Sequence, residues 1–396
     1  MKKTTLMVLT SALLVQSVYA EESITEAIKN GKASVDMNLR YEAVEQDNAL
    51  QDATALTLRT RLGYTTAVYK NFSAMIEMED SRIVGGQDEF TVGPTGFNPG
   101  EYSVIADPET TELEQAFVKY ADEGVTAKLG RQVITYDGHR FVGHVGWRQD
   151  RQTFDALKLD YSASEKLKLS YSYLWKRNRI FAEAADVDAK DSLINVSYKT
   201  GFGTVTGYGY LLEVDNNTDN ALDTFGVSFK GSAGENKSFK YIVEYASQTN
   251  ESGAVEYDTD YLFLEGAMNI SGITAKLGYE VLGSDEGMSG FATPLATLHK
   301  FNGFADIFLT TPAEGLVDMY ASATTKLGGG KLVLVYHDYS ADESSPAVDD
   351  MGNEINLVYA KKFANNYSAG VKYASYSAGD INVDTDKLWV WAGLSF

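Results

Sequence analysis

What most constrains this chain is a double alternation. Within each of eighteen stretches apolar and polar residues alternate with period two, and between the stretches tight and long connections alternate in turn. The stretches lie near residues 33–44, 53–66, 72–83, 111–121, 125–134, 153–162, 166–177, 190–200, 203–214, 222–231, 237–248, 258–270, 273–283, 317–327, 331–340, 354–362, 367–376 and 386–396. In the first, Val35, Met37, Leu39 and Tyr41 alternate with Asp36, Asn38, Arg40 and Glu42. In the seventh, Leu167, Leu169, Tyr171, Tyr173 and Trp175 alternate with Lys168, Ser170, Ser172, Leu174 and Lys176. Period two puts the two rows on opposite faces of a strand. A soluble sandwich alternates as well, so the connections decide. Those after even-numbered stretches are tight, such as Asp122-Glu123-Gly124 and Gly328-Gly329-Gly330, whereas the long ones, 84–110, 135–152, 284–316 and 341–353, all follow odd-numbered stretches. All six prolines fall in the long connections, as expected of a residue that cannot donate to a ladder. An even number of strands with short turns at one end and long loops at the other describes an all-β transmembrane antiparallel β-barrel with periplasmic turns and extracellular loops.

The ends of the chain agree. Lys2 and Lys3, the apolar run Leu6 to Leu14 and the small-residue site Val18-Tyr19-Ala20 read as a secretory leader, which leaves residues 21–396 as a single barrel domain with a short helical lead-in over 21–32. After Ala20 no apolar run approaches the roughly 20 residues of a spanning helix, and a closed barrel is the other architecture that satisfies every backbone group in lipid. In the last stretch Leu388, Val390, Ala392, Leu394 and Phe396 share one face. A terminal Phe on such a strand resembles the signature by which bacterial outer-membrane barrels are recognised for assembly. The expected location is therefore the bacterial outer membrane, with lipopolysaccharide and the barrel-assembly machinery as partners. A formal charge of −21 argues against nucleic-acid binding, and the lack of cysteine excludes thiol catalysis, disulfides and cysteine metal sites.

Eighteen strands enclose a lumen wide enough for water, so function rests on what narrows it. The stretch Arg131 to Phe154 packs four arginines and two of the chain's four histidines into one glycine-rich loop. Arg131, Arg140, Arg148, Arg151, His139 and His144 are the candidate constriction, with Tyr136, Phe141 and Trp147 as anchors. Planar guanidinium groups suit passing carboxylates. The alternative is that they pair with Asp137, Asp150 and Asp155 and pin the loop. Arg59, Arg61, Lys119, Lys128, Lys158 and Lys168 fall on expected inward rows and would continue a cationic path, although Asp36, Glu77, Glu79 and Asp160 on the same rows allow a transverse field instead. The facing of Tyr208, Tyr210 and His337 is open.

Passive diffusion through a preformed pore needs no cofactor. The rival class, a barrel-embedded hydrolase, would need a nucleophile beside a base: His337 lies near Asp338 and Ser340, but no Gly-x-Ser-x-Gly elbow is present. A surface adhesin with acidic outer loops, such as 215–220 and 349–354, is a third class.

Gly130-Arg131-Gln132, Gly138-His139-Arg140-Phe141-Val142-Gly143, Trp147-Arg148-Gln149 and Thr153-Phe154-Asp155-Ala156 together resemble the central motif of the alginate-export family of outer-membrane porins. His299 to Thr310, continuing to Pro312 and Gly315, is similar to a second block of that family. The resemblance implies a monomeric eighteen-stranded barrel that conducts an acidic polysaccharide. The eighteen-stranded acid-uptake porins of the OprD type are the competing family, and a general porin for small solutes is the alternative function.

Overall fold

A computed structural model describes residues 23–93 and 97–396; the expected leader lies outside the described residues. Eighteen antiparallel strands form the wall: β1 (Lys32–Gln46), β2 (Ala53–Thr65), β3 (Phe72–Glu89), β4 (Thr110–Asp122), β5 (Val125–Gln132), β6 (Thr153–Ser162), β7 (Leu167–Asn178), β8 (Val187–Lys199), β9 (Gly203–Glu213), β10 (Asn220–Ala233), β11 (Phe239–Ser252), β12 (Val255–Ile270), β13 (Ile273–Leu282), β14 (Leu316–Leu327), β15 (Gly330–Ser340), β16 (Asp350–Phe363), β17 (Tyr367–Ser377) and β18 (Thr385–Ser395). Each expected stretch overlaps one of them. The largest difference is β3, which runs on to Glu89 as half of a tall hairpin. The helical lead-in is present as α1 (Ile24–Lys29), started by the Ser23 hydroxyl, which accepts from the Glu26 N–H at 3.1 Å.

Every strand pairs with its sequence neighbours, and β1 also pairs with β18, so the sheet closes and no edge remains to meet lipid unpaired. The seam ends on the terminal residue: Val35 N donates to Phe396 O at 2.8 Å, and Phe396 N donates back to Val35 O at 3.0 Å. No helix among the described residues is long and apolar enough to cross a membrane.

Period two sorts the side chains as the sequence suggests. Outward rows carry exposed apolar residues such as Leu62, Val118, Leu277 and Val390, with Phe72, Tyr120, Tyr161, Tyr198 and Tyr367 near the turn end as an interfacial girdle. Inward rows carry the charges. Tyr208, Tyr210 and His337 all face inward and are buried.

The lumen departs from the water-filled interior expected of eighteen strands. Loops 133–152 and 283–315 fold into it and build an apolar core there, in which Phe141, Phe291, Leu295 and Phe308 pack against inward wall residues such as Tyr208, Tyr261, Tyr339 and Tyr376. Wide barrels leave water only where loops do not bring their own side chains inside.

Candidate functional site

The two loops interlock. Val142 and Leu295 form a parallel bridge, Gly143 N donates to Leu295 O at 2.7 Å, and Thr297 N donates to His139 O at 3.0 Å. Val145, β-branched yet held at φ 50°, is the costliest backbone position in this knot. The Thr297 hydroxyl offsets it by accepting from the N–H groups of His144 (3.1 Å) and Val145 (3.2 Å). Anchoring is aromatic, through the three residues the sequence offers. The Tyr136 hydroxyl meets Ser170 and Ser172 at 2.8 and 2.9 Å, Phe141 stands edge-on to Tyr261 at 5.1 Å, and Trp147 stacks on His299 at 4.9 Å.

The arginines of the loop pin it, with partners other than the nearby acids the sequence suggests. Arg148 is buried and donates to Glu42 on β1 at 3.0 and 3.1 Å and to Asp306 of the second loop at 2.9 Å, with Asp107 from loop 90–109 at 3.8 Å. Burial disfavours its charge, yet Glu42, Asp107 and Asp306 together raise its pKa above the ordinary guanidinium value. Burial likewise works against Asp306, but His299, Lys387 and Arg148 hold it well below the usual carboxylate range. Arg140 donates to Glu280 at 2.7 Å and to Asn302 Oδ1 at 3.2 Å, with its guanidinium 4.7 Å over the Phe301 ring. Arg151 binds Glu77 at 2.5 Å and also pairs with Glu114. His139 and His144 lie edge to face at 5.0 Å.

Arg131 corrects the sequence reading. It lies on β5 in the outward row set by Val125 and Leu129, and it pairs with Asp155 directly across on β6 at 2.8 Å, outside the lumen. The same parity was available in the sequence. Arg59 and Arg61 do face inward but are buried, Arg59 paired with Asp36 and Arg61 with Glu79.

Several contributors carry no local sequence signal. Arg40 pairs with Asp107 and donates to the Trp147 carbonyl, and Gln149 Nε2 donates to Thr57 Oγ1 at 2.8 Å. His299 Nδ1 meets Asp306 at 2.7 Å while its Nε2 faces Lys372 Nζ at 2.7 Å, which fits a neutral ring donating to the carboxylate and accepting from the ammonium. Burial, then Lys372 and Arg148, outweigh Asp306 and depress the His299 pKa to about 3; burial, then His139 and Arg151, bring His144 to about 4. A histidine whose folded pKa is depressed stabilises the fold above its unfolded pKa of 6.5, and that stability is lost as pH falls from there towards about 4 for His144 and about 3 for His299. Docking of the loops, followed by Trp147 fluorescence, is expected to weaken over that window. His299→Gln, which keeps one donor and one acceptor, should flatten the acid slope.

The lysines behave differently from the arginines. Lys119, Lys128 and Lys158 stand directly opposite one another across β4, β5 and β6 on the inward face, in the turn-side half of the barrel. Like charges in register are destabilising in a sheet. Lys158 has Asp160 beside it and Lys128 lies 4.7 Å over the Phe117 ring, while among the described residues no carboxylate pairs with Lys119, Lys128 or Lys168. Across the lumen, beneath the loops, lies a cavity of about 380 Å³ where Arg140, Lys230, Lys276 and Lys300 face Glu244, Glu265, Glu280 and Asp318.

A family model described as alginate export matches residues 30–281. No curated protein sequence matches the chain. Among solved structures, OccK3 (OpdO) of Pseudomonas aeruginosa aligns with TM-score 0.70 at 12% identity, covering 94% of this chain and 97% of that one. OccAB4 of Acinetobacter baumannii gives 0.71 at 13% identity over 92% and 98%. OpdK of P. aeruginosa, solved with vanillate, gives 0.69 at 13% identity over 92% and 98%. The closed antiparallel barrel is thus the fold of outer-membrane porins. The matched region spans more than half of the chain and takes in the whole arginine-bearing loop that interlocks inside the lumen, and the protein belongs to the alginate export family.

Proposed function

We propose that this outer-membrane porin channel selects hydrophilic solutes of negative charge, with acidic sugars and alginate-like polyuronates as the class that fits best. The observation that supports it most is the lysine row. Lys119, Lys128 and Lys158 repel one another in register and only Lys158 has a carboxylate beside it, so a passing anion would compensate the charge that Asp160 leaves unbalanced. The buried arginines act one step back, by fixing the loops that bound the path. The channel is a non-enzymatic transporter that needs no cofactor, and it works as a monomer whose partners are lipopolysaccharide and the assembly machinery. Residues 1–20 act as its cleaved leader, and 21–396 form one domain.

A second reading, uptake of small carboxylic acids, has one observation in its favour: the fold is shared with OpdK, solved with the aromatic acid vanillate. Reconstituted in planar bilayers, the channel is expected to be anion-selective in an asymmetric salt gradient and to be blocked by oligouronates at lower concentration than by neutral oligosaccharides of equal length. Block by benzoate-like acids but not by oligouronates would favour the second reading, and cation selectivity would overturn both.

A further inference from the structure

We propose that the inner wall at β3 and β4 holds a divalent cation of the calcium type, bound by Glu79, Glu114 and Asp150 and clamping loop 133–152 to the barrel. One carboxylate oxygen from each of the three residues lies within 4.8 Å of the other two, and all three side chains are shut off from solvent. Oxygens on opposite sides of a calcium ion, each at 2.3–2.6 Å, are up to about 5 Å apart, so three oxygens within 4.8 Å of one another can share one such ion.

The acids are not accounted for by their neighbours. Arg61 serves Glu79 and lies 3.7 Å from Glu114; Arg151 serves Glu114 and Glu77. Four carboxylates, Glu77, Glu79, Glu114 and Asp150, thus share two guanidinium groups, so the buried cluster holds more acids than ion-pair partners. Among the described residues Asp150 receives only the Ala182 N–H at 3.3 Å, and burial, with Glu112, Glu79 and Glu114 nearby, pushes its pKa far above the ordinary value.

Two further atoms point independently to a ligand. Among the described residues Glu79 Oε1 receives no hydrogen bond although the residue is wholly buried, and the hydroxyl of Ser81, 1% exposed and two residues along the same inward face of β3, has no partner either. The unpaired Glu79 oxygen with the carboxylates of Glu114 and Asp150 makes an all-oxygen donor set, as hard cations require, and the unpaired Ser81 hydroxyl is the next polar group along that inward row. The fold builds this set on purpose-made geometry: the register of β3 and β4 slips between Glu77 and Met78, where Glu77 faces Gln115 but Met78 faces Leu113, so Glu114 is the extra residue of a β-bulge and its side chain joins the inward acids. A cation here joins two wall strands to the loop through Asp150, beside the tie that Arg151 makes to Glu77 and Glu114.

The test uses the full chain refolded in detergent free of lipopolysaccharide and stripped with chelator, with calcium chloride alone as the probe. Calcium is expected to raise the thermal midpoint of the barrel by several degrees in a saturable way, and terbium should show luminescence sensitised by the protein that calcium displaces. Asp150→Asn should abolish the calcium increment yet leave the chelator-treated midpoint as high as wild type or higher, because it removes a buried carboxyl group that has no ion-pair partner. Ser81→Ala should weaken the response several-fold, and Asp349→Asn with Asp350→Asn, in an outer loop, should retain it. No calcium response in the wild type overturns the proposal, as does a midpoint that follows pH but not calcium, which means that the acids share a proton. A response that survives in both Asp150→Asn and Ser81→Ala places the ion elsewhere and overturns it too.

Discussion

Arg148→Ala is expected to undock the lumen loops at a cost of about 3–5 kcal/mol, the range for breaking a buried ion pair from one side. Arg148 holds three elements at once: β1 through Glu42, loop 283–315 through Asp306, and loop 90–109 through the more distant Asp107. Its removal leaves Glu42 with Arg40 at 3.8 Å as its remaining ion pair, and Asp306 with His299 and Lys387. The wall keeps its own ladder of hydrogen bonds, so the loss falls on the loops rather than on the barrel. Single-channel conductance should rise and become noisier, and protease should cut within 133–152 while the wall stays protected. Arg148→Lys should recover only part of the effect, since one ammonium cannot serve Glu42 and Asp306 with separate nitrogens as the guanidinium does. Arg131→Ala, on the outward face, should leave conductance unchanged. Unaltered conductance and proteolysis in Arg148→Ala would show that the apolar core alone holds the loops.

That contrast between Arg148 and Arg131 marks how far the sequence could be read. Strands were legible because period two is a local property: Leu167 to Trp175 announce their face without reference to the rest of the chain. Closure was legible too, because the rows flanking Phe396 and Val35 must both finish the same wall. Ion-pair partners were not. Arg148 meets Asp306 and Arg140 meets Glu280 across more than a hundred residues, whereas Asp137 and Asp150, close in sequence, pair with neither. Only Arg131 found a partner the sequence suggested, Asp155, and it did so because β5 and β6 are adjacent strands. The filled lumen was hidden for a related reason. The phenylalanines and leucines of 283–315 read as ordinary loop residues until the loop is seen to turn inward. His299 and Lys372, 2.7 Å apart, become visible only once that loop has met β17.

The lysine row offers the sharper test of function, because its replacement should change selectivity without disturbing the fold. Changing Lys119, Lys128 and Lys158 together to Gln relieves the repulsion of three like charges in register and gives up the Lys158–Asp160 pair, so the two effects offset and the barrel should be about as stable as before. A monovalent ion passing roughly 6 Å from one such charge in water gains about 0.7 kcal/mol, reduced by screening at about 0.1 M salt to ~0.4 kcal/mol. Three charges then contribute roughly 1 kcal/mol, so partition of an anion should fall about fivefold and that of a cation rise by the same factor. In an asymmetric salt gradient the reversal potential should move towards the cation side, and the shift should shrink as ionic strength rises. Arg140→Ala, whose guanidinium is buried against Glu280 and Phe301, should move it far less. If the triple variant keeps the wild-type reversal potential while Arg140→Ala shifts it, selection resides in the loop after all, and the lysines are ordinary lumen lining. Agreement with the expected order would locate the filter on the wall, with the loop arginines as the framework that keeps the path beside it.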